Sequence, residues 1–204
     1  ITRQPCQADM ITVKANTTQA GVFKISDQST DLSGSFGATA EAANIIQAIN
    51  TDGFEIGTSA TVNTASTIYY YFGFKESSNF AVGTYSGNGG TSSVNVVFQP
   101  EYLWVKNSST NVGITRDANL SGDGVYPFTN VAKVTGGITG ITSTGFDLSS
   151  SAYVNASGTN NYRYVAWRAP AEPVISITVT DGSIAFENIP FGESKATTSL
   201  SDTQ

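Results

Sequence analysis

Residues 99–106 (Gln-Pro-Glu-Tyr-Leu-Trp-Val-Lys) decide the fold, because residues 7–14 (Gln-Ala-Asp-Met-Ile-Thr-Val-Lys) carry the same pattern 92 positions earlier. Both stretches hold a run of apolar and β-branched residues, which is typical of a strand. Two further pairs of segments keep the offset of 92: residues 53–56 with 145–148, and residues 59–63 with 151–155. The chain is therefore predicted to be a tandem repeat.

The remaining apolar runs are short and are separated by clusters of Gly, Asn, Ser and Asp, as expected for strands and turns. Residues 69–75 match residues 162–168 after one inserted residue. These patterns predict an all-β protein of two tandem antiparallel β-sandwich repeats, jelly-roll-like in form, with a C-terminal strand extension. The predicted domains are residues 1–77, 78–169 and 170–204.

Residues 38–49 are the one helix candidate by local propensity. Their repeat equivalents, residues 130–141, are rich in Gly and β-branched residues and do not suit a helix. Because equivalent positions should fold alike, we expect a strand at residues 45–49 and at most a helical turn at residues 39–43.

The two repeats differ in their number of strands. The second begins with a strand at residues 80–85, for which the first has no equivalent, and residues 170–204 have no partner in the repeat. We therefore expect the C-terminal segment to add to a sheet edge of another copy of the chain, head to tail, giving a homopolymer. Folding back on its own chain, or opening a further domain, are the alternatives. The residues assigned to this assembly strand are Val174, Ile175, Ile177, Val179, Ile184 and Phe186.

Composition excludes several classes of function. The net charge of −6 disfavours nucleic acid as a partner, and the absence of histidine removes Ser-His-Asp and Cys-His catalysis. No stretch approaches the roughly 20 apolar residues of a membrane span, so membrane insertion is not expected. No catalytic acid–base pair or nucleophile is evident in the sequence, so we do not expect the protein to be an enzyme. The chain opens at Ile1 rather than Met, which favours a processed chain or a fragment of a longer one.

One loop has part of a calcium-binding pattern. Asp117, Asn119, Ser121 and Asp123 place oxygen side chains at alternate positions, and Gly122 stands sixth, where a calcium loop has its glycine. The bidentate acidic residue of a calcium loop is missing, since Phe128 stands in its place. A polar hairpin loop is the alternative to a calcium site, and no other cofactor is expected.

Three consecutive aromatic residues, Tyr69, Tyr70 and Tyr71, are candidates for stacking on a glycan. They occupy both faces of one predicted strand, so at least one ring should face outward. Packing between sheets is the alternative for the others.

The blocks at residues 80–89, 98–106 and 164–168 resemble a repeated β-module of phage tail and virion structural proteins, which also occurs in large bacterial surface proteins. The first copy departs from it at Cys6 and Ala8, where Phe98 and Pro100 stand in the second. Residues 174–204 resemble the start of a β-sandwich of bacterial surface proteins. The resemblance implies a structural part of an extracellular, cell-surface or virion assembly, such as a filament, sheath or tail fibre. Glycan-binding adhesion is the alternative.

Overall fold

The computed structural model describes residues 7–28, 30–158 and 161–170 in full, and the backbone of residues 2–3, 177–180 and 183–186. All regular structure in these ranges is β, in several antiparallel sheets, and none of it is helical. The chain divides into two compact units, residues 1–169 and 170–204. Within the first unit, the first half denotes residues 2–77 and the second half residues 78–169; a domain boundary between the halves stays a prediction.

The first half folds into two sheets with the strand orders β1-β6-β5 and β4-β3-β2-β7. Its strands are β1 (Thr2–Arg3), β2 (Met10–Ala15), β3 (Val22–Ile25), β4 (Gly34–Ser35), β5 (Ile46–Asn50), β6 (Gly53–Ile56) and β7 (Tyr69–Phe74).

The second half also has two sheets, with the orders β13-β14-β9 and β12-β11-β10-β15-β8. Its strands are β8 (Phe80–Ser86), β9 (Ser92–Asn95), β10 (Tyr102–Asn107), β11 (Ile114–Asp117), β12 (Tyr126–Pro127), β13 (Ile138–Thr142), β14 (Gly145–Leu148) and β15 (Asn161–Trp167).

Cross-strand partners recur between the halves at the offset read from the sequence. Ile11 pairs with Lys24 as Leu103 pairs with Arg116, 92 residues further on. A register shift interrupts the β5–β6 pairing and the β13–β14 pairing at the same place. Residues 46–50 form β5 and no helix forms at residues 38–49, so the repeat rather than local helix propensity predicted this segment correctly.

Each half buries its own core between a small and a large sheet, in a β-sandwich-like arrangement. In the first half, Ile11 and Val13 of β2 pack with Ile46 of β5 and Phe54 of β6. In the second half the equivalent side chains, Leu103, Val105, Ile138 and Phe146, pack in the same way. Tyr162 and Tyr164 of β15 join this core.

A third buried cluster lies between the large sheets of the two halves. Met10 and Phe23 of the first half pack with Trp104 and Val165 of the second. The Phe23 and Trp104 rings meet edge to face at 4.7 Å between centroids, a favourable aromatic geometry. The two halves therefore share a core.

A buried polar contact joins the halves beside this core. Glu41 of the first half accepts a 2.9 Å charged hydrogen bond from Arg163, and both side chains are nearly buried. Lys106, also buried, donates through Nζ to the carbonyl of Thr39. Burial lowers the pKa of Lys106 to about 8, against a smaller opposing effect of Glu41.

The second unit contains a hairpin of β16 (Ile177–Thr180) and β17 (Ser183–Phe186). Of the predicted assembly-strand residues, Ile177 and Val179 lie in β16, and Ile184 and Phe186 in β17. Val174 and Ile175 lie outside the described residues.

Candidate assembly edge

The halves differ most at the edges of their large sheets. In the second half, β15 pairs with β10 on one side and with all seven residues of β8 on the other. In the first half the equivalent strand β7 pairs with β2 alone, and among the described residues no strand lies on its other side. Within the part of the chain that the structure describes, β7 therefore has one unpaired edge, which agrees with the strand count read from the sequence.

The unpaired backbone groups of β7 can be assigned from its pairing. The amide of Asn16 donates to the carbonyl of Ile68, and bonded residues alternate along an antiparallel pair. The N–H and C=O groups of Tyr69, Tyr71 and Gly73 therefore point to the free edge. These groups are what an added strand would bind.

The side chains of β7 are exposed where their equivalents in β15 are covered. Tyr71 packs edge to face on Phe54 with ring centroids 5.2 Å apart, as Tyr164 packs on Phe146 at 5.7 Å. Tyr71 is nevertheless 43% exposed, against 9% for Tyr164, which lies beneath β8. The missing neighbour, rather than a different ring position, accounts for the exposure.

Tyr69 and Tyr162 make the same pair of hydrogen bonds. Tyr69 Oη donates to the carbonyl of Ala60 and accepts from the amide of Thr64. Tyr162 Oη bonds the equivalent groups 92 residues later. In addition, the ring of Tyr85 from β8 stacks on Tyr162 at 5.0 Å, nearly parallel. The first half thus has a tyrosine already held in place, without the ring that would cover it.

Of the three predicted glycan-stacking residues, Tyr70 is the most exposed, at 63%. Tyr69 is held by its hydrogen bonds and Tyr71 packs on Phe54, so these two rings serve the fold. Glycan binding stays a prediction, and among the three tyrosines Tyr70 is the ring most available for it.

The outer edge of β8, unlike that of β7, is blocked at its start. Glu76 Oε1 accepts a hydrogen bond from the amide of Val82, and Ser77 exchanges two backbone hydrogen bonds with Phe80. Such local blocking is a common protection against further strand pairing.

The predicted calcium loop is organised by a buried cation. The guanidinium of Arg116 donates to the carbonyl oxygens of Leu120, Gly122 and Gly124 at 2.7–2.9 Å. Burial lowers the pKa of Arg116, and Asp123 and Asp117 oppose this shift. Three carbonyl oxygens of the loop are therefore already bonded to a positive group.

The acidic side chains of this loop bind backbone amides. Asp117 Oδ1 accepts from the amide of Asn119, and Asp123 Oδ2 accepts from the amide of Gly136. Within the described residues no three His, Cys, Asp or Glu side chains are grouped so as to hold a metal. Calcium binding at Asp117, Asn119, Ser121 and Asp123 stays a prediction.

Sequence reasoning missed the role of Arg116 and of its equivalent, Lys24. Lys24 Nζ donates to the carbonyls of Thr30 and Leu32, the positions equivalent to Gly122 and Gly124. A cation at the same strand position of both repeats was the available signal, because a buried positive group needs acceptors nearby.

Comparison with family models, with curated proteins and with solved structures found no match to this chain. Among the described residues there is no helix of the length and apolar character needed to cross a membrane.

Proposed function

We propose that this chain is a structural building block of an extracellular, cell-surface or virion assembly, and that neighbouring units join by adding a strand to the free edge of β7. The proposal includes the finer architecture read from the sequence: two tandem jelly-roll-like repeats and a C-terminal strand extension. One observation supports it above all: among the described residues, β15 is paired on both sides and β7 on one side only.

An exposed, aromatic edge strand favours association. Unpaired N–H and C=O groups form a ready template for another strand, and Tyr71, Phe72 and Phe74 are each at least 40% exposed beside that edge. Main-chain hydrogen bonds would supply affinity and the aromatic side chains would supply register. Use of unlike surfaces on the two partners builds a fibre unless the rotation closes a ring.

The test blocks only the outward-facing amide of the edge. Gly73→Pro removes one N–H that points away from β2, and the preceding residue is already extended, as proline requires. We expect the wild-type chain to form larger species as its concentration rises, measured by size-exclusion chromatography with light scattering, and Gly73→Pro to remain monomeric.

The matched control is Thr84→Pro, which removes an outward-facing amide from β8, whose outer edge is blocked at its start. It should assemble like the wild type. A wild-type chain that stays monomeric at every concentration, or a Gly73→Pro variant that still assembles, would contradict the proposal.

Glycan-binding adhesion is the second candidate, supported by the exposure of Tyr70. Stacking on an aromatic ring is a common way to bind the apolar face of a sugar, and it needs a ring that is free on one side. Binding on a glycan array that Tyr70→Ala abolishes, without any change in assembly, would favour this function over the structural one.

A further inference from the structure

The open edge of the first half can be compared atom by atom with the filled edge of the second. We propose, resting on the strand addition proposed above, that the edge of β7 selects a strand of the β8 pattern, Phe-Ala-Val-Gly-Thr-Tyr, carried by another repeat of this type. The central glycine of that strand would lie opposite Tyr71 and its tyrosine over Tyr69.

The requirement for glycine follows from the ring of Tyr164. Gly83 of β8 pairs with Tyr164, and a Cβ atom at Gly83 would lie 2.5 Å from Tyr164 Oη and 2.6 Å from the ring carbon that carries it. Such distances are well inside van der Waals contact. Because Tyr71 already packs on Phe54 in the way that Tyr164 packs on Phe146, the same space is missing above Tyr71.

The requirement for an aromatic residue two positions later follows from Tyr162. Tyr85 stacks on the ring of Tyr162 and its hydroxyl donates to the carbonyl of Val154 at 2.7 Å. Tyr69 and Val62 are the equivalents in the first half, and Val62 is buried as Val154 is. A tyrosine two residues after the glycine would therefore find the same ring and the same carbonyl.

The connection after the strand also has a candidate anchor, the equivalent of Asn155. In the second half Asn155 is buried and binds the turn that follows β8, accepting from the amide of Asn88 and donating to the carbonyl of Gly90. Its equivalent, Asn63, is exposed. A strand of the β8 pattern would supply that turn and cover Asn63.

The path of the added strand leads to the start of β1. In the second half β8 is followed after five residues by β9, which pairs with β14. β1 pairs with β6 at the equivalent positions, Thr2 with Phe54 as Val94 with Phe146. A strand on the free edge of β7 would thus end beside Thr2.

The predicted C-terminal donor differs from this pattern at the decisive position. Residues 174–180, Val-Ile-Ser-Ile-Thr-Val-Thr, contain no glycine and no aromatic residue. In any register along β7 they would place a side chain against Tyr71. A strand of the β8 pattern and the C-terminal segment are therefore expected to behave differently when each is offered to the edge of β7.

The experiment grafts each donor in front of Ile1 of the full chain. A copy of residues 79–92, which is continuous with residue 1 in the 92-residue register, should fill the edge, raise the melting temperature by at least about 5 °C and remove self-association. The same graft with Gly83→Val, and the same graft with residues 174–180 in place of residues 80–86, should raise the melting temperature far less and leave concentration-dependent self-association in place.

Amide hydrogen exchange measures directly whether the edge of β7 is paired. With the residue 79–92 graft, the amides of Tyr69, Tyr71 and Gly73 should become as protected as those of Tyr162, Tyr164 and Ala166. Equal protection by the Gly83→Val graft or by the graft that carries residues 174–180 would overturn the selection proposed here. If no graft protects these amides, the proposed selection is also wrong. The Gly73→Pro variant tests strand addition separately, so the two failures can be told apart.

Discussion

The two halves of the larger unit repeat the same strands, the same pairing partners and the same register shift, yet one ends in an open edge and the other does not. β8 covers β15, and its own outer edge is capped by Glu76 and Ser77. β7 lacks both cover and cap among the described residues. A single strand thus decides whether the same arrangement of tyrosines is a core or a surface.

The comparison also shows that the tyrosine rings of the first half already hold the positions of their buried equivalents. Tyr69 and Tyr71 keep the hydrogen bonds and the ring contact of their buried equivalents although they are exposed. An acceptor that is already formed loses little conformational entropy on binding, which favours affinity.

The largest expected effect comes from removing the two equivalent tyrosines in turn. Tyr162→Ala should lower the free energy of unfolding by about 4 kcal/mol, because it empties a fully buried site under Tyr85. Tyr69→Ala removes the same two hydrogen bonds from a half-exposed ring and should cost about 1–2 kcal/mol. Urea unfolding of both variants measures the difference, and equal losses would show that β8 adds nothing to the second half.

The second effect concerns the contact that joins the halves. Glu41→Gln should lower the free energy of unfolding by about 3 kcal/mol, because it leaves Arg163 with a buried and uncompensated charge. Lys133→Gln, at the repeat-equivalent and exposed position, should change it by less than about 0.5 kcal/mol. Similar losses of stability in the two variants would mean that the Glu41–Arg163 ion pair does not stabilise the contact between the halves.

Much of this fold is predictable from the sequence because the repeat supplies a second reading of each strand. The strand at residues 46–50 emerges against its local helix propensity, and the missing strand emerges from counting. Both predictions follow from the 92-residue offset between equivalent residues, which can be read directly from the amino-acid sequence.

The contacts between the halves are not predictable in this way. Glu41 and Arg163 have Lys133 and Tyr70 as their repeat equivalents, so the repeat gives no sign that they meet. Likewise, the carbonyl oxygens that bind Arg116 come from a loop, and the amino-acid sequence does not mark which backbone groups turn inward. Such contacts depend on how sheets stack rather than on patterns along one strand.

The third effect is a pH dependence that comes mainly from Lys106 in the second half, with a smaller share from Lys24, whose pKa burial also lowers. The pKa of Lys106 falls from 10.5 to about 8 through burial. Between these values the unfolded chain binds more protons than the folded one, so stability rises with pH across this window. We expect a gain of about 1–2 kcal/mol between pH 8 and 9.5.

Two variants isolate the group responsible. Lys106→Met should remove most of the rise with pH, whereas Lys14→Met, at the equivalent and less buried position, should keep it. The measurement stops at pH 9.5 because burial raises the pKa of Tyr85 and of Tyr162, and their titration in the unfolded chain lowers stability at higher pH. A rise of unchanged size in Lys106→Met would assign the pH dependence to another group.

The smallest expected effect concerns the loop at residues 117–123. Its carbonyls bind the guanidinium of Arg116, much as those of the first-half loop bind the ammonium of Lys24. A divalent cation would have to bind beside a buried positive charge and take oxygens that already accept hydrogen bonds. The loop has only two carboxylates, Asp117 and Asp123, to offset that unfavourable free energy. We therefore expect millimolar calcium to shift the melting temperature by less than about 1 °C. A rise of several degrees with calcium but not with magnesium, lost in Asp123→Asn, would show instead that the loop rearranges around a metal, and that the two halves hold their equivalent loops by different means.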